Sequence, residues 1–275
     1  MLADLLALVD DPERALPFLR AVHDFGAANG RPHLTVMLLN DVFAAIDALD
    51  ADADPSDAML AFDAAEKRSI ELLRSALDRS ELSLELRAIT DAPGFLSGAA
   101  RVEGRYADMM LVGPRSAYRS ERLRRRCIES ALMSGSGPVL LFPEGVGLSV
   151  LAQAVVGWDA SPEARAAVRE LTRLLPSGAR IDIALVDPAD ARPNRPAPGS
   201  DIARHLARHG YAVTLHVLSS AGRDVSAVLE RFALEQKADL LAIGGFAHSR
   251  VRDILLGGVT RHLIEAARLP VLLAR

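Results

Sequence analysis

Cysteine is almost missing from this chain: Cys127 is the only one in 275 residues. A single thiol excludes an internal disulfide and any multi-cysteine metal site. Aromatic residues are scarce at 4%, with one tryptophan and three tyrosines. A core with so few rings must be aliphatic. That favours Val/Leu/Ile strands buried on both faces beneath Ala-rich helices. No basic start followed by an apolar stretch is present, so no signal peptide is expected. The most apolar region, residues 138–158, is interrupted by Pro143, Glu144 and Gln153 and is not expected to span a bilayer. Positive charge is not in surplus either. The formal net charge is −4, which argues against a general binder of nucleic acid or of anionic membranes. By elimination, the expected location is cytoplasmic.

What is present is a regular alternation. Half of the residues are apolar and a quarter are charged, as in globular domains, and the length suits two domains. In the first half, strands are expected at residues 3–9, 33–39, 82–88, 108–112 and 138–142. Helices are expected between them, the first opened by Pro12 behind a capping Asp and stopped by Gly30. An acidic run at 47–57 reads as a solvated loop. In the second half, strands are expected at 154–158, 181–186, 211–218, 240–243 and 270–274, with Ser161-Pro162 opening the first helix. The halves repeat one unit. VDDPERAL after the first strand matches WDASPEARAA after the sixth, and GPVLLF matches LPVLLA. Alternating strands and helices call for an α/β fold, with parallel sheets and helices on both faces in a doubly wound, Rossmann-like layout. The boundary is expected near 145–149, giving domains 1–147 and 148–275. The closing strands, 138–142 and 270–274, are edges that need covering, and they are expected to pair with each other.

The stretch with most chemical content is 239–260, DLLAIGGFAHSRVRDILLGGVT. A buried strand ending in Ile243 breaks at Gly244-Gly245. A polar segment leads to Gly257-Gly258, and Val259-Thr260 opens the last helix. Glycines let the backbone approach a phosphate, and a helix start favours negative charge. Asp159 stands at the tip of the sixth strand, after Gly157, and Val186 ends the seventh.

These residues resemble the universal stress protein family, and the chain looks like a tandem member with two such domains. The family's nucleotide signature is Gly, two residues, Gly, nine residues, Gly and then Ser or Thr. Gly244 and Gly257 take the first and third places. Ala247 stands where the second Gly is expected and Gly258 where Ser or Thr is expected. The resemblance implies two adenine nucleotide alpha hydrolase-like domains, each a five-stranded parallel sheet. It implies an ATP site, with Mg2+, in the second domain. There Asp159 and Val186 would lie at the base and ribose, Gly244, Gly257, Gly258 and Thr260 would cradle the phosphates, and Gly157, Ile243, Ala247 and Val259 would complete the binding residues. It also implies an intramolecular pseudo-dimer with further homodimerisation open, an unidentified protein partner, and a stress-linked regulatory role. Two other readings stay open: an interaction module that needs no nucleotide, and a slow ATP hydrolase or phosphotransfer protein. Positive φ at Ala247 would cost roughly 1–2 kcal/mol. A hydroxyl missing at Gly258 removes a hydrogen bond worth about 1.5–3 kcal/mol.

The matching stretch of the first half is Gly113-Pro114-Arg115-Ser116, with Arg126-Cys127 where the glycine pair would be. Pro114 also lacks a donor N–H. No phosphate cradle is expected there. Arg119, Arg122, Arg124, Arg125 and Arg126 read as a solvated helical face. His205 and His209 share a helix face without a third ligand, and His216 reads as a satisfied rim residue.

Overall fold

The structure is a computed structural model that describes residues 2–43, 54–77, 82–148, 150–188, 197–245 and 258–275; at 55–58 and 258–260 it describes the backbone alone. The chain divides into two compact units, 2–137 and 138–275. Residues 47–53 of the acidic run lie outside the described residues.

The first unit runs β1 (Asp4–Val9), α1 (Pro12–Ala28), β2 (His33–Asp41), α2 (Pro55–Leu77), β3 (Leu84–Asp91), α3 (Pro93–Glu103), β4 (Met109–Val112) and α4 (Glu121–Ser134), with short 3-10 turns at Gly104–Tyr106 and Arg115–Ala117. Its strands lie in the order β3-β2-β1-β4, all parallel. The second unit runs β5 (Val139–Leu141), β6 (Gln153–Gly157), α5 (Pro162–Leu174), β7 (Arg180–Val186), α6 (Ser200–Arg208), β8 (Ala212–Leu218), α7 (Val225–Glu235), β9 (Leu240–Gly244), α8 (Gly258–Ala266) and β10 (Val271–Ala274). Its order is β5-β10-β9-β6-β7-β8. Five of these strands are parallel, and β5 runs antiparallel to β10 with Val271 opposite Leu141 and Leu273 opposite Val139. The strand count therefore departs from two sheets of five. The first unit keeps four strands, because the closing strand of the first half covers the edge of β10.

Local chemistry explains the boundaries. Asp11 caps α1 by accepting from the Arg14 N–H, and Pro12 occupies the first turn, where no donor is needed. Ser120 caps α4 through the Leu123 N–H, and Gly135 ends that helix at φ 65°. Ser161 caps α5 through the Ala164 N–H, and Asp224 caps α7 through the Ser226 N–H. The inner strands β1 and β10 are buried along nearly all of their length, whereas the edge strands β3 and β8 are half-buried or exposed. Apolar runs therefore mark the middle of each sheet. Within the second unit, the helices lie on both faces. A Cβ at Gly157 would meet Leu229 of α7 and Ile243 of β9. A Cβ at Gly244, the next residue of β9, would meet the start of α5. Successive strand residues face opposite ways, so α5 and α7 cover opposite faces.

Candidate functional site

β6 and β9 are hydrogen-bonded neighbours, Ala154 opposite Leu240 and Val156 opposite Ala242. The chain leaves β6 into α5 on one face, and the helix after β9, α8, packs beside α7 on the other. Between the C-terminal ends of β6 and β9 the connections therefore part in opposite directions. In an open α/β sheet this switch point is where ligands bind.

Asp159 lies just beyond β6 and is exposed. Its Oδ1 accepts from the Ser161 N–H at 2.9 Å. This bond fixes one carboxylate oxygen against the turn, and no hydrogen bond to Oδ2 occurs among the described residues. Gly157 must be glycine for packing: a Cβ would stand 2.8 Å from Leu229 Cδ1 and 2.9 Å from Ile243 Cγ2. Ile243 is buried. Val186 is half-buried at the end of β7. Beside it Asp187 adopts φ 43°, and its carboxylate accepts from the Ser220 N–H at 3.1 Å. Hydrogen bonds from Ser220 hold that carboxyl below its ordinary range.

Gly244 has a clear physical reason to be glycine. A Cβ there would come within 2.7 Å of the Ala164 nitrogen and of the Glu163 carbonyl carbon. The first turn of α5 thus rests directly on the end of β9. The Gly245 N–H is already used, donating to the Ala274 carbonyl at 2.8 Å. Gly258 opens α8, followed by Val259 and Thr260, whose side chains are not described. Ala247 and Gly257 lie outside the described residues. Gly157, Asp159, Ile243 and Gly244 are therefore brought together at one crevice, with Val186 at the end of the adjoining strand.

Sequence reasoning missed Glu163. It occupies the first turn of α5 and is only 7% exposed. Its Oε2 is the one buried carboxylate oxygen without a hydrogen-bond partner among the described residues. Its position just after Ser161-Pro162 gave no signal, since a Glu in a first turn ordinarily serves the helix dipole in solvent.

The first unit closes its own switch point. The Tyr118 hydroxyl, in a side chain 3% exposed, donates to the Leu8 carbonyl at 2.6 Å and accepts from the Gly113 N–H at 3.4 Å. Those groups lie at the ends of β1 and β4. The phenol is thus wedged where the two strands part. Burial holds its hydroxyl well above the ordinary range. Asp10, the counterpart of Asp159, accepts from the Arg119 and Ser120 N–H groups, both at 2.8 Å. A carboxylate of the chain itself therefore stands where a cradle would receive an anion. Desolvation raises the Asp10 carboxyl above its ordinary value, partly offset by those two N–H groups. Arg124 departs from the expected solvated face. It is buried, and its Nε donates to the Gly113 carbonyl at 2.8 Å. Cys127 is buried, and its thiol is pushed up to about 12, which leaves it unreactive.

The remaining candidates carry structure. His216 Nε2 meets Asp182 Oδ1 at 2.8 Å, and Gln153 and Arg180 complete the shell of that fully buried carboxylate. The rings of His205 and His209 lie 4.6 Å apart, and no group of three metal-binding side chains occurs among the described residues. Among them, no helix is long and apolar enough to cross a membrane.

The comparisons with known proteins agree with this geometry. The universal stress protein family matches residues 153–275. A universal stress protein from Archaeoglobus fulgidus shares the fold at TM-score 0.67 and 15% identity, over 99% of this chain and 98% of that one. A putative universal stress protein from Pseudomonas aeruginosa matches at TM-score 0.57 and 14% identity, over 99% and 93%. No curated protein matches the chain. The universal stress protein family is thus matched over β6 to β10, residues 153–275, and the fold of universal stress proteins is shared along nearly all of the chain.

Proposed function

We propose that this chain is a cytoplasmic, stress-linked regulatory protein that binds one adenine nucleotide, ATP with Mg2+, at the β6–β9 switch point. The observation that carries the reading is the contrast between Asp159 and Asp10. One carboxylate is exposed, and its Oδ2 accepts no hydrogen bond among the described residues. Its counterpart is tied to two backbone donors beside a crevice filled by Tyr118. Asp159 and Val186 would hold the ribose and base, while the amides at the start of α8 would face the phosphates. The first unit would serve as a scaffold for an unidentified protein partner, or for a second copy of the chain.

A second reading, an interaction module without nucleotide, draws on the glycine turn itself. Gly244 is accounted for by α5, and the Gly245 N–H by Ala274. Titration calorimetry with ATP and magnesium separates the two. The nucleotide reading expects one site per chain and a loss of about tenfold or more in affinity on Asp159→Ala, as for one charge-assisted hydrogen bond. No heat and no thermal shift at millimolar ATP would leave the interaction module standing.

A further inference from the structure

Glu163 poses a chemical problem at this crevice. Its carboxylate is more than nine-tenths buried and lies where α5 rests on the end of β9. The Glu163 Cβ is 2.8 Å from where a Cβ on Gly244 would stand. Among the described residues, Oε2 has no hydrogen-bond partner. A desolvated carboxylate oxygen without a partner is among the costliest polar groups to bury. Two amides of the first turn of α5 are engaged elsewhere: Ala164 donates to Ser161 Oγ and Arg165 to the Ser161 carbonyl. A negative side chain beside a phosphate site would also repel a bare nucleotide.

A cation shared with the nucleotide resolves both difficulties. Magnesium keeps several of its waters and is commonly held by one or two carboxylates together with substrate phosphates, not by an all-protein cage. No three-ligand cluster exists among the described residues for a resident ion, whereas one buried carboxylate at the crevice suits an ion that arrives with its ligand. We propose that Glu163 is a ligand to the magnesium of a bound magnesium–nucleotide complex. The residue makes the site selective for the metal-loaded over the free triphosphate. This inference rests on the nucleotide reading above.

The test compares ATP in EDTA with ATP in excess magnesium chloride, by calorimetry on the full chain. In the wild type, magnesium raises ATP affinity by about tenfold or more, the scale of a charge-assisted contact. In Glu163→Gln, which keeps the shape of the side chain, that gain shrinks to within about threefold, and free ATP binds at least as well as to the wild type. Glu163→Ala gives the same pattern, with thermal melts confirming that both variants fold. Asp159→Asn keeps the magnesium gain. An undiminished magnesium effect in both Glu163 variants overturns this inference alone, as does its loss in Asp159→Asn. Absence of ATP binding to the wild type in either condition overturns the nucleotide reading and this one with it.

Discussion

Removing one oxygen atom at Tyr118 tests how the first unit seals its crevice. The hydroxyl links the last hydrogen-bonding groups of two diverging strands, accepting from the Gly113 N–H and donating to the Leu8 carbonyl. Tyr118→Phe keeps the ring, its packing and its place over Arg124, whose guanidinium carbon lies 5.8 Å from the ring centroid. What is lost is the relay between two buried backbone groups. The bond to Leu8 is short and strong at 2.6 Å, and that to Gly113 is long at 3.4 Å, so the Leu8 carbonyl dominates the loss. A buried acceptor left without its donor costs about 1–3 kcal/mol. We expect Tyr118→Phe to lower stability by that amount in guanidinium unfolding followed by circular dichroism. Tyr106→Phe is the control, since that ring is 76% exposed and its hydroxyl stays in water. A Tyr118→Phe loss below about 0.5 kcal/mol, the range of an ordinary surface change, refutes the claim that the hydroxyl seals the strand ends.

Two further substitutions probe the neighbouring geometry. Asp10 has a carboxyl raised above its usual value, chiefly by burial. The folded state therefore favours its protonated form. The stabilising contribution is full below the unfolded value, near 3.8, and is lost as pH rises through the folded value. Asp10→Asn removes this titration, so the stability of the wild type relative to the variant should decline from about pH 4 upward, as measured by denaturant midpoints at several pH values. A relative stability that grows with pH would mean that the Arg119 and Ser120 N–H groups outweigh desolvation. Gly244→Ala forces a methyl against the backbone of Glu163 and Ala164 at 2.7 Å. The expected cost is about 1–3 kcal/mol from overpacking, read as a lowered melting temperature, and a neutral substitution would mean that α5 does not rest on β9.

Period and punctuation made the fold legible. Pro12 behind Asp11, Pro162 behind Ser161 and the apolar runs of β1 and β10 announced helix starts and inner strands without tertiary information. The duplicated ending of the two halves pointed to the pairing of β5 with β10. It did not reveal that β5 belongs to the second compact unit, because such membership depends on long-range packing and leaves no local pattern. The crevice was legible at Asp159 and Gly244 through their places at strand ends. The reason for Gly244 was not, since the approach of α5 from another part of the chain is invisible along the sequence. Arg124 misled for a related reason. Five arginines in a short helical segment read as a solvated face, yet one of them reaches a buried carbonyl, and composition does not tell which.

The two halves differ at the described ends of their corresponding strands. Each places an Asp just after its first strand and a glycine at the end of the strand beside it. In the first unit, a tyrosine five residues beyond Gly113 fills the gap, and the Asp turns to cap the backbone at Arg119 and Ser120. Both contacts satisfy polar groups at the strand ends from within the chain. In the second unit, no described side chain does the same. Asp159 binds only its own turn, and Glu163 holds an oxygen without a partner. Folds satisfy nearly every buried polar group, so the Glu163 oxygen left without a partner among the described residues, near the switch point of the sheet, is the feature that the magnesium proposal accounts for. Under the magnesium proposal, the carboxylate that is costly to bury would be the means of choosing a cation-loaded ligand over a bare anion.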